Sequence, residues 1–430
     1  MFENLDVSPE ATIKVVGVGG AGGNAINEMM RRHLQNVTFI ALNTDAQALK
    51  KSEADIPVQI GQERTRGYGC GADPTEGYNA AMESEDLIRS QLEGTDMLFI
   101  ACGMGGGTGT GASPVVAKIA NEMGILTVGV VTKPFEFEGK KRMVAAEAGI
   151  HHLREYVDSL IVIENNNLVK KLPAGTSLMQ AFTEADSVLC SAVYAIAEVI
   201  TASGLINVDF ADVKTVMKST GRALMGAGEG EGENRAEIAA ERAIDSPLLE
   251  DFEMKAAKGI LCTITHGLDF TIDEMTAIGD KVQNLASPDA TVVIGTIPNS
   301  DMEDKCVVTV IATGIDHESD TESPVSDIAR NMRREPQATG VPVDKSQTQD
   351  AKVFQTSKAT PATEASHVEN SHSPTATIQR TPQRAPEIKA KEDSSVESDS
   401  AKEVDVQSAA PLESGKSKAR NLFNVPDFLK

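Results

Sequence analysis

The chain has no tryptophan, and only 4 tyrosines and 12 phenylalanines in 430 residues. A surface that grips single-stranded nucleic acid needs aromatic platforms for the bases, so the sequence does not suit that class. Positive charge is also short: 40 Lys and Arg stand against 63 Asp and Glu, a formal net charge of −23. Such a chain is repelled on average by nucleic acid and by anionic bilayers. Apolar runs such as Ile125 to Val131 are far too short to span a membrane. Met1 to Glu10 carries acidic residues and no apolar core, so it does not read as a signal peptide. The 5 cysteines (Cys70, Cys102, Cys190, Cys262, Cys306) form no close pair and are odd in number, the pattern of reduced thiols in a cytoplasm. The 7 histidines show no metal-ligand spacing.

What is plentiful is glycine, and its placement is not random. The run Gly103-Met104-Gly105-Gly106-Gly107-Thr108-Gly109-Thr110-Gly111 follows an apolar segment, Met97 to Ala101, that reads as a buried strand. It leads into Ala112 to Met123, which has the spacing of a helix. A strand, a glycine loop and a helix start together turn backbone N–H groups and the positive end of a helix dipole onto one surface, which suits phosphate. A P-loop would carry a lysine in this run. None stands there, so charge must be met by amides, hydroxyls and Mg²⁺. A flexible linker is the bland alternative, and linkers are not clamped between an apolar strand and an amphipathic helix.

Earlier in the chain, Thr12 to Val18 reads as a strand running into Gly17 to Asn24, with a helix from about Ala25 to His33. Gly17, Gly19 and Gly22 satisfy Gly-x-Gly-x-x-Gly, so a nicotinamide-dependent oxidoreductase is a competing reading. The strand Val37 to Leu42 ends in Asn43-Thr44-Asp45, where a dinucleotide fold places its ribose acid. A further glycine loop, Gly67 to Gly71, precedes a helix near Pro74 to Leu92. Three glycine-rich turns exceed what a dinucleotide needs and fit phosphates wrapped from several sides.

Ile125 to Val131 reads as a strand ending in Thr132-Lys133-Pro134, and Phe135 opens a helix reaching Tyr156. Glu138 and Arg142, four apart, fall on one face of it; on spacing alone they are an ordinary ion pair. Asp158 to Ile163 is a strand ending in Asn165-Asn166-Asn167. This alternation implies a mostly parallel sheet with helices on both faces, an α/β Rossmann-like domain over residues 11–176. Ser177 to Ser203 is a helix apolar around most of its circumference, hence a buried bridge between domains. On it Phe182 and Asp186 lie four apart; a carboxylate can accept from N1–H and the 2-amino group of guanine and a ring can stack on the base, although without the glycine loops a core phenylalanine beside a solvated acid is the preferred reading. Asp209 N-caps a helix from Phe210 to Lys218, and Asn207, Asp209 and Asp212 form a polar cluster able to position water or simply to cap and solvate. From there to about residue 316 strands and helices alternate in a smaller α+β domain. Residues 317–419 are rich in Ser, Thr, Pro, Gln, Glu and Lys, the composition of a disordered linker. Apolar residues return only at 420–430, where Leu422, Phe423, Val425, Pro426, Phe428 and Leu429 read as a peptide that orders on a partner.

The glycine run at 105–111, Asn43-Thr44-Asp45, Thr132-Lys133-Pro134 and Asn207-Val208-Asp209-Phe210-Ala211-Asp212 together resemble the FtsZ family, the tubulin-like cell-division GTPases of bacteria. The resemblance covers residues 11–316 and the final peptide. It implies a tubulin-like fold and GTP held by Gly20, Ala21, Gly22, Gly23, Asn24, Asn43, Gly103, Gly105, Gly106, Gly107, Thr108, Gly109, Thr132 and Pro134. Glu138 and Arg142 would contact the ribose and nucleotide, and Asn165, Phe182 and Asp186 the guanine. Mg²⁺ would be bound mainly through the phosphates, and K⁺ is a further candidate. Asn207, Asp209 and Asp212 would act on the nucleotide of the adjacent subunit, so that hydrolysis requires a head-to-tail homopolymer. Partners would be the chain itself and membrane adaptors or division regulators on the C-terminal peptide, with no direct membrane insertion and no nucleic acid. The place would be cytoplasmic, at midcell under the membrane.

Several positions depart from the family pattern. Cys70 and Cys102 stand where alanine is usual, Glu164 replaces a proline, Asn166 an aspartate, and Ser187 an Asp or Asn. Any auxiliary electrostatic contact from the variable basic tail of many relatives is expected to be missing. The main alternative that shares this core is a tubulin-like filament with another cargo, such as DNA or cell shape; only the C-terminal peptide favours division.

Overall fold

The computed structural model describes residues 11–315 apart from positions 33, 35, 171, 202–207, 219–221, 247 and 250–256. The expectations for residues 1–10, for Asn207, for the linker and for the docking peptide from Leu422 to Leu429 lie outside the described residues. Strands are β1 (Ile13–Val18), β2 (Val37–Asn43), β3 (Ile56–Gln59), β4 (Met97–Gly103), β5 (Leu126–Lys133), β6 (Ser159–Glu164), β7 (Arg222–Glu231), β8 (Gly259–His266), β9 (Thr291–Pro298) and β10 (Lys305–Ile315). Helices are α1 (Gly19–Arg31), α2 (Ala46–Leu49), α3 (Gln62–Thr65), α4 (Pro74–Glu83), α5 (Glu85–Leu92), α6 (Thr108–Glu122), α7 (Lys140–Arg154), α8 (Asn165–Val169), α9 (Leu178–Thr201), α10 (Phe210–Met217), α11 (Arg235–Ile244) and α12 (Ile272–Leu285).

Among the described residues the strands form one ten-stranded sheet in the order β3-β2-β1-β4-β5-β6-β7-β10-β8-β9. The first six are parallel, and their apolar residues alternate between two cores, as a period of two requires. Val15 and Phe99 join the core under α9, whereas Val16 and Ile100 join the one under α6. The join to the second half is parallel: among the described residues β6 and β7 pair through Leu160↔Arg222 and Ile161↔Ala223. Beyond it β10 runs antiparallel to both β7 and β8. The core under α9 bridges this join, since Val193 and Ile196 belong to the same cluster as Leu261 and Ile311. Burying apolar side chains of one helix against both halves is what lets α9 act as a bridge.

Several boundaries differ from the sequence reading, for physical reasons. Helices α1 and α6 start inside their glycine runs, at Gly19 and Thr108, rather than at Ala25 and Ala112. Glycine is a poor helix former in isolation, but here missing side chains permit close packing of these first turns against the strands. A Cβ on Gly22 would fall 2.4 Å from the Ala101 carbonyl oxygen, and one on Gly109 2.6 Å from that of Gly103. The helix expected from Phe135 is interrupted: a 3-10 turn at Glu136–Glu138 ends at Gly139, whose φ of +101° breaks it from α7. Pro74 to Leu92 is likewise two helices, divided at Ser84. Asp209 occupies the N-cap position of α10, yet its side chain makes no capping bond.

Candidate functional site

In a parallel sheet, ligands bind beyond the carboxyl ends of the strands where the strand order reverses. Here that point lies between β1 and β4, because the chain builds outward to β3 on one side and to β6 on the other. The two loops that leave those strands are the two glycine runs. They meet directly: Gly19 (φ +75°) lies so close to Gly109 that a Cβ would be 2.9 Å from its amide nitrogen. Ala21 packs on Gly103 in the same way.

The glycines divide by what surrounds them. Gly22, Gly103, Gly105, Gly107 and Gly109 are pressed against neighbouring atoms of the chain, so their small size is a packing requirement. Gly20 and Gly23 have nothing within 4 Å of an added Cβ, and Gly106 has only the Arg142 guanidinium at 3.9 Å. Those three therefore border open space rather than protein. Gly20, Gly23, Asn24 and Asn43 line a groove of about 300 Å³ that runs on to Asn27, Gln47 and Lys51.

Hydroxyls and amides complete the cradle. The Thr44 and Thr108 hydroxyls share a hydrogen bond, the Gly105 N–H donates to Thr110 Oγ1 at 2.8 Å, and the Met104 N–H to the Thr132 carbonyl at 2.9 Å. Pro134 packs on Gly105. Glu138 and Arg142 do form an ion pair, but across the Gly139 break rather than along one helix. Arg142 Nε also donates to the Gly105 carbonyl at 3.4 Å, which ties the 3-10 turn to the second glycine loop.

On the far side stands an aromatic group that spacing did not foresee. Phe135 and Phe137 stack with centroids 5.0 Å apart, and Phe182 meets Phe135 edge-on at 5.2 Å. Phe137 is 61% exposed and Phe182 38%, so rings of this set remain uncovered. The only signal for Phe137 was its two-residue spacing from Phe135. Asp186, on α9, has its carboxyl pushed up to about 7 by burial, with the like charge of Glu28 adding to it. The Arg32 guanidinium nearby is occupied by the Ser187 and Ser191 hydroxyls, at 3.0 and 3.3 Å. Asn165 is buried and its Oδ1 has no hydrogen-bond partner, an arrangement that costs free energy until a donor arrives.

All the cradle residues expected from the sequence therefore lie at the carboxyl ends of β1, β2, β4, β5 and β6 or at the start of α9. Asp209 and Asp212 do not. They are exposed at the start of α10, which packs on β8 and β9 in the other half of the sheet. Among the described residues no group of three His, Cys, Asp or Glu is placed to hold a metal, and no helix is long and apolar enough to cross a membrane.

Comparison with known proteins places this geometry. Residues 12–173 match the model of the Tubulin/FtsZ family GTPase domain, and residues 221–316 that of the FtsZ family C-terminal domain. The chain is 56% identical over 315 residues to the cell division protein FtsZ of Wigglesworthia glossinidia brevipalpis, covering 73% of this chain and 82% of that one. Against the cell division protein FtsZ of Coxiella burnetii it is 55% identical over 316 residues, with the same coverage of 73% and 82%. Its fold is similar to that of the empty FtsZ dimer of M. jannaschii, with a TM-score of 0.69, 43% identity, and coverage of 71% and 89%.

Proposed function

The chain belongs to the FtsZ family of tubulin-like cell-division GTPases, and we propose that its glycine cradle holds GTP in a site completed by the next subunit of a filament. It is a GTPase that self-assembles into the filaments of the bacterial division ring. One observation carries the site reading. The open cradle at Gly20, Gly23 and Gly106 and the exposed acids Asp209 and Asp212 belong to opposite halves of the sheet. A head-to-tail contact brings one to the other, and a heterologous contact that does not close on itself propagates as a filament.

Within this reading the amides of Gly20 to Asn24 and Gly107 to Gly109 cradle the phosphates, aided by the α1 and α6 starts. Arg142 supplies the cation that the glycine run lacks. Glu138 accepts from the ribose hydroxyls. Asp186, once ionised, accepts from guanine N1–H and the 2-amino group, with Phe182 against the base and Asn165 Oδ1 finding a donor beside it. Asp209 and Asp212 of the next subunit, with Asn207, polarise the attacking water. The hydroxyls of Thr44 and Thr108, beside the glycine amides, are the neutral donor set that fits Mg²⁺ held chiefly by phosphate oxygens. Bound there, Mg²⁺ would neutralise developing charge on the transferred phosphoryl group. K⁺ dependence belongs to the same proposal. So do docking of membrane adaptors or division regulators on the C-terminal peptide and a location at midcell beneath the membrane.

The test is GTP turnover per subunit against protein concentration with Mg²⁺, beside light scattering, for the native chain and Asp212→Ala. Turnover should appear only where scattering rises, and Asp212→Ala should assemble but hydrolyse poorly. A turnover per subunit that is flat on dilution would mean that one chain contains the whole site.

A further inference from the structure

The turn between Pro134 and Gly139 carries Phe135, Phe137 and Glu138, yet it is short, and its outer residues Glu136, Phe137 and Gly139 are exposed. Pro134 and Phe135 are buried and anchor its start, but the part from Glu136 to Gly139, which carries Glu138, has little burial to hold it in place. One bond reaches it from the start of α8, and another fixes its entry from the end of β6. The Glu136 N–H donates to Asn166 Oδ1 at 3.0 Å, and Lys133, the residue before Pro134, donates to Glu164 Oε1 at 2.8 Å. Lys133 and Glu164 are also register partners on adjacent strands, so this pair fixes the point at which the turn leaves the sheet.

From there the bonds continue inward. The Phe135 N–H donates to Glu138 Oε1 at 2.9 Å, the other carboxylate oxygen takes Arg142, and Arg142 reaches the Gly105 carbonyl. A carboxylate offers about four lone-pair sites, so Glu138 keeps acceptor capacity for a ligand only while its orientation is held. The neighbouring amides of α8 have different tasks: Asn166 is engaged by the turn, and Asn165 Oδ1 is left without a partner.

We propose that Asn166, backed by the Glu164–Lys133 pair at the end of β6, is a positioning residue that straps the 134–139 turn to the start of α8 and so pre-sets Glu138 for the sugar of the nucleotide. This rests on the nucleotide reading given above. Asn166 touches no reacting atom; it acts through the Glu136 amide. Substitution should therefore alter sugar recognition and leave the chemical step alone.

The experiment uses the full chain and compares Asn166→Ala with Asn166→Asp, whose carboxylate can accept the same bond. Binding of GDP and of 2′,3′-dideoxy-GDP is titrated at protein concentrations below assembly, and GTP turnover is measured at saturation. Asn166→Ala should weaken GDP binding about 3- to 10-fold, the range of one hydrogen bond, and dideoxy-GDP binding clearly less. Asn166→Asp should restore both, and kcat should stay within about 2-fold in each variant. Glu164→Ala should weaken GDP binding in the same sugar-dependent way. An unchanged GDP affinity in Asn166→Ala, an equal loss for both ligands, or failure of Asn166→Asp to rescue overturns the positioning role. Those outcomes leave the nucleotide site standing. A native chain that binds no GDP removes both.

Discussion

The hydroxyls of Thr44 and Thr108 lie 2.7 Å apart although 64 residues separate them, and the Cys70 thiol reaches both, at 3.3 and 3.6 Å. Three loops, from β2, from the Gly67–Gly71 turn and from β4, are thereby joined at one side of the glycine cradle. Cys70 is also pressed against Gly107, where a Cβ would lie 2.6 Å from its own.

A thiol so placed reports on the cradle. Cys70 is partly exposed, whereas Cys102, Cys190, Cys262 and Cys306 are buried, and burial pushes each of those four up to about 12. Iodoacetamide should therefore modify Cys70 first in the native chain, and saturating GTP with Mg²⁺ should slow that reaction. Mass mapping of the alkylated peptides decides it. Equal labelling of a buried thiol, or no protection by GTP, would separate Cys70 from the ligand site.

The glycines of the cradle should part into two classes on substitution. Gly20→Ala meets no atom of the protein, so it should leave Tm nearly unchanged while obstructing the space assigned to phosphate and weakening GTP binding. Gly22→Ala forces a methyl to 2.4 Å from the Ala101 carbonyl oxygen, and overpacking of that kind costs about 1–3 kcal/mol. Thermal melts and GTP titrations of the two variants should therefore show opposite profiles. A large loss of Tm in Gly20→Ala would show that its open side is needed by the fold.

How much of this could be read in the sequence depends on which interaction sets each feature. The strands were legible because residues such as Met97 to Ala101 are buried on both faces and must be apolar throughout. The starts of α1 and α6 were not, since local propensity opposes helix at Gly19 and Gly109, and contact with β4 and its loop decides otherwise. Glu138 and Arg142 were paired for the wrong reason: they meet because Gly139 turns the chain, and not because four residues make one helical turn. Phe135 and Phe137, on one turn, gave no signal that Phe182 of α9 joins them, because elements remote in sequence bring the rings together. The same holds for Thr44, Cys70 and Thr108.

Base recognition should depend on pH. The Asp186 carboxyl, ordinarily near 3.8, is raised to about 7, so the folded chain holds this proton more tightly than the unfolded one. Rising pH between those values therefore destabilises the nucleotide-free fold. Guanine offers donors, which favour the ionised form, so GDP affinity should climb with pH and level off above about 7, by up to about tenfold per unit below it. Titrations between about pH 6 and 8 check this. Asp186→Asn should flatten the profile, and Glu28→Gln should move its midpoint to lower pH, because a like charge is removed. A profile that persists in Asp186→Asn would place the titrating group elsewhere.

Separation of cradle and acids onto opposite halves of the sheet makes a mixing experiment informative. Asp212→Ala keeps an intact cradle and Arg142→Ala keeps intact acids, so each variant alone should turn over GTP poorly. If hydrolysis occurs between subunits, an Asp212→Ala cradle beneath the acids of an Arg142→Ala subunit is a complete site. In a filament of equal and random composition, about a quarter of the contacts have that form, because each contact draws one cradle and one set of acids independently. Turnover of the mixture should therefore approach about a quarter of the native rate, provided that scattering shows co-assembly. Sites closed within one chain give a different result: no mixture could then exceed the average of its two components. Co-assembly without any gain in turnover would therefore sink the shared site, whatever the affinity of the cradle for GTP.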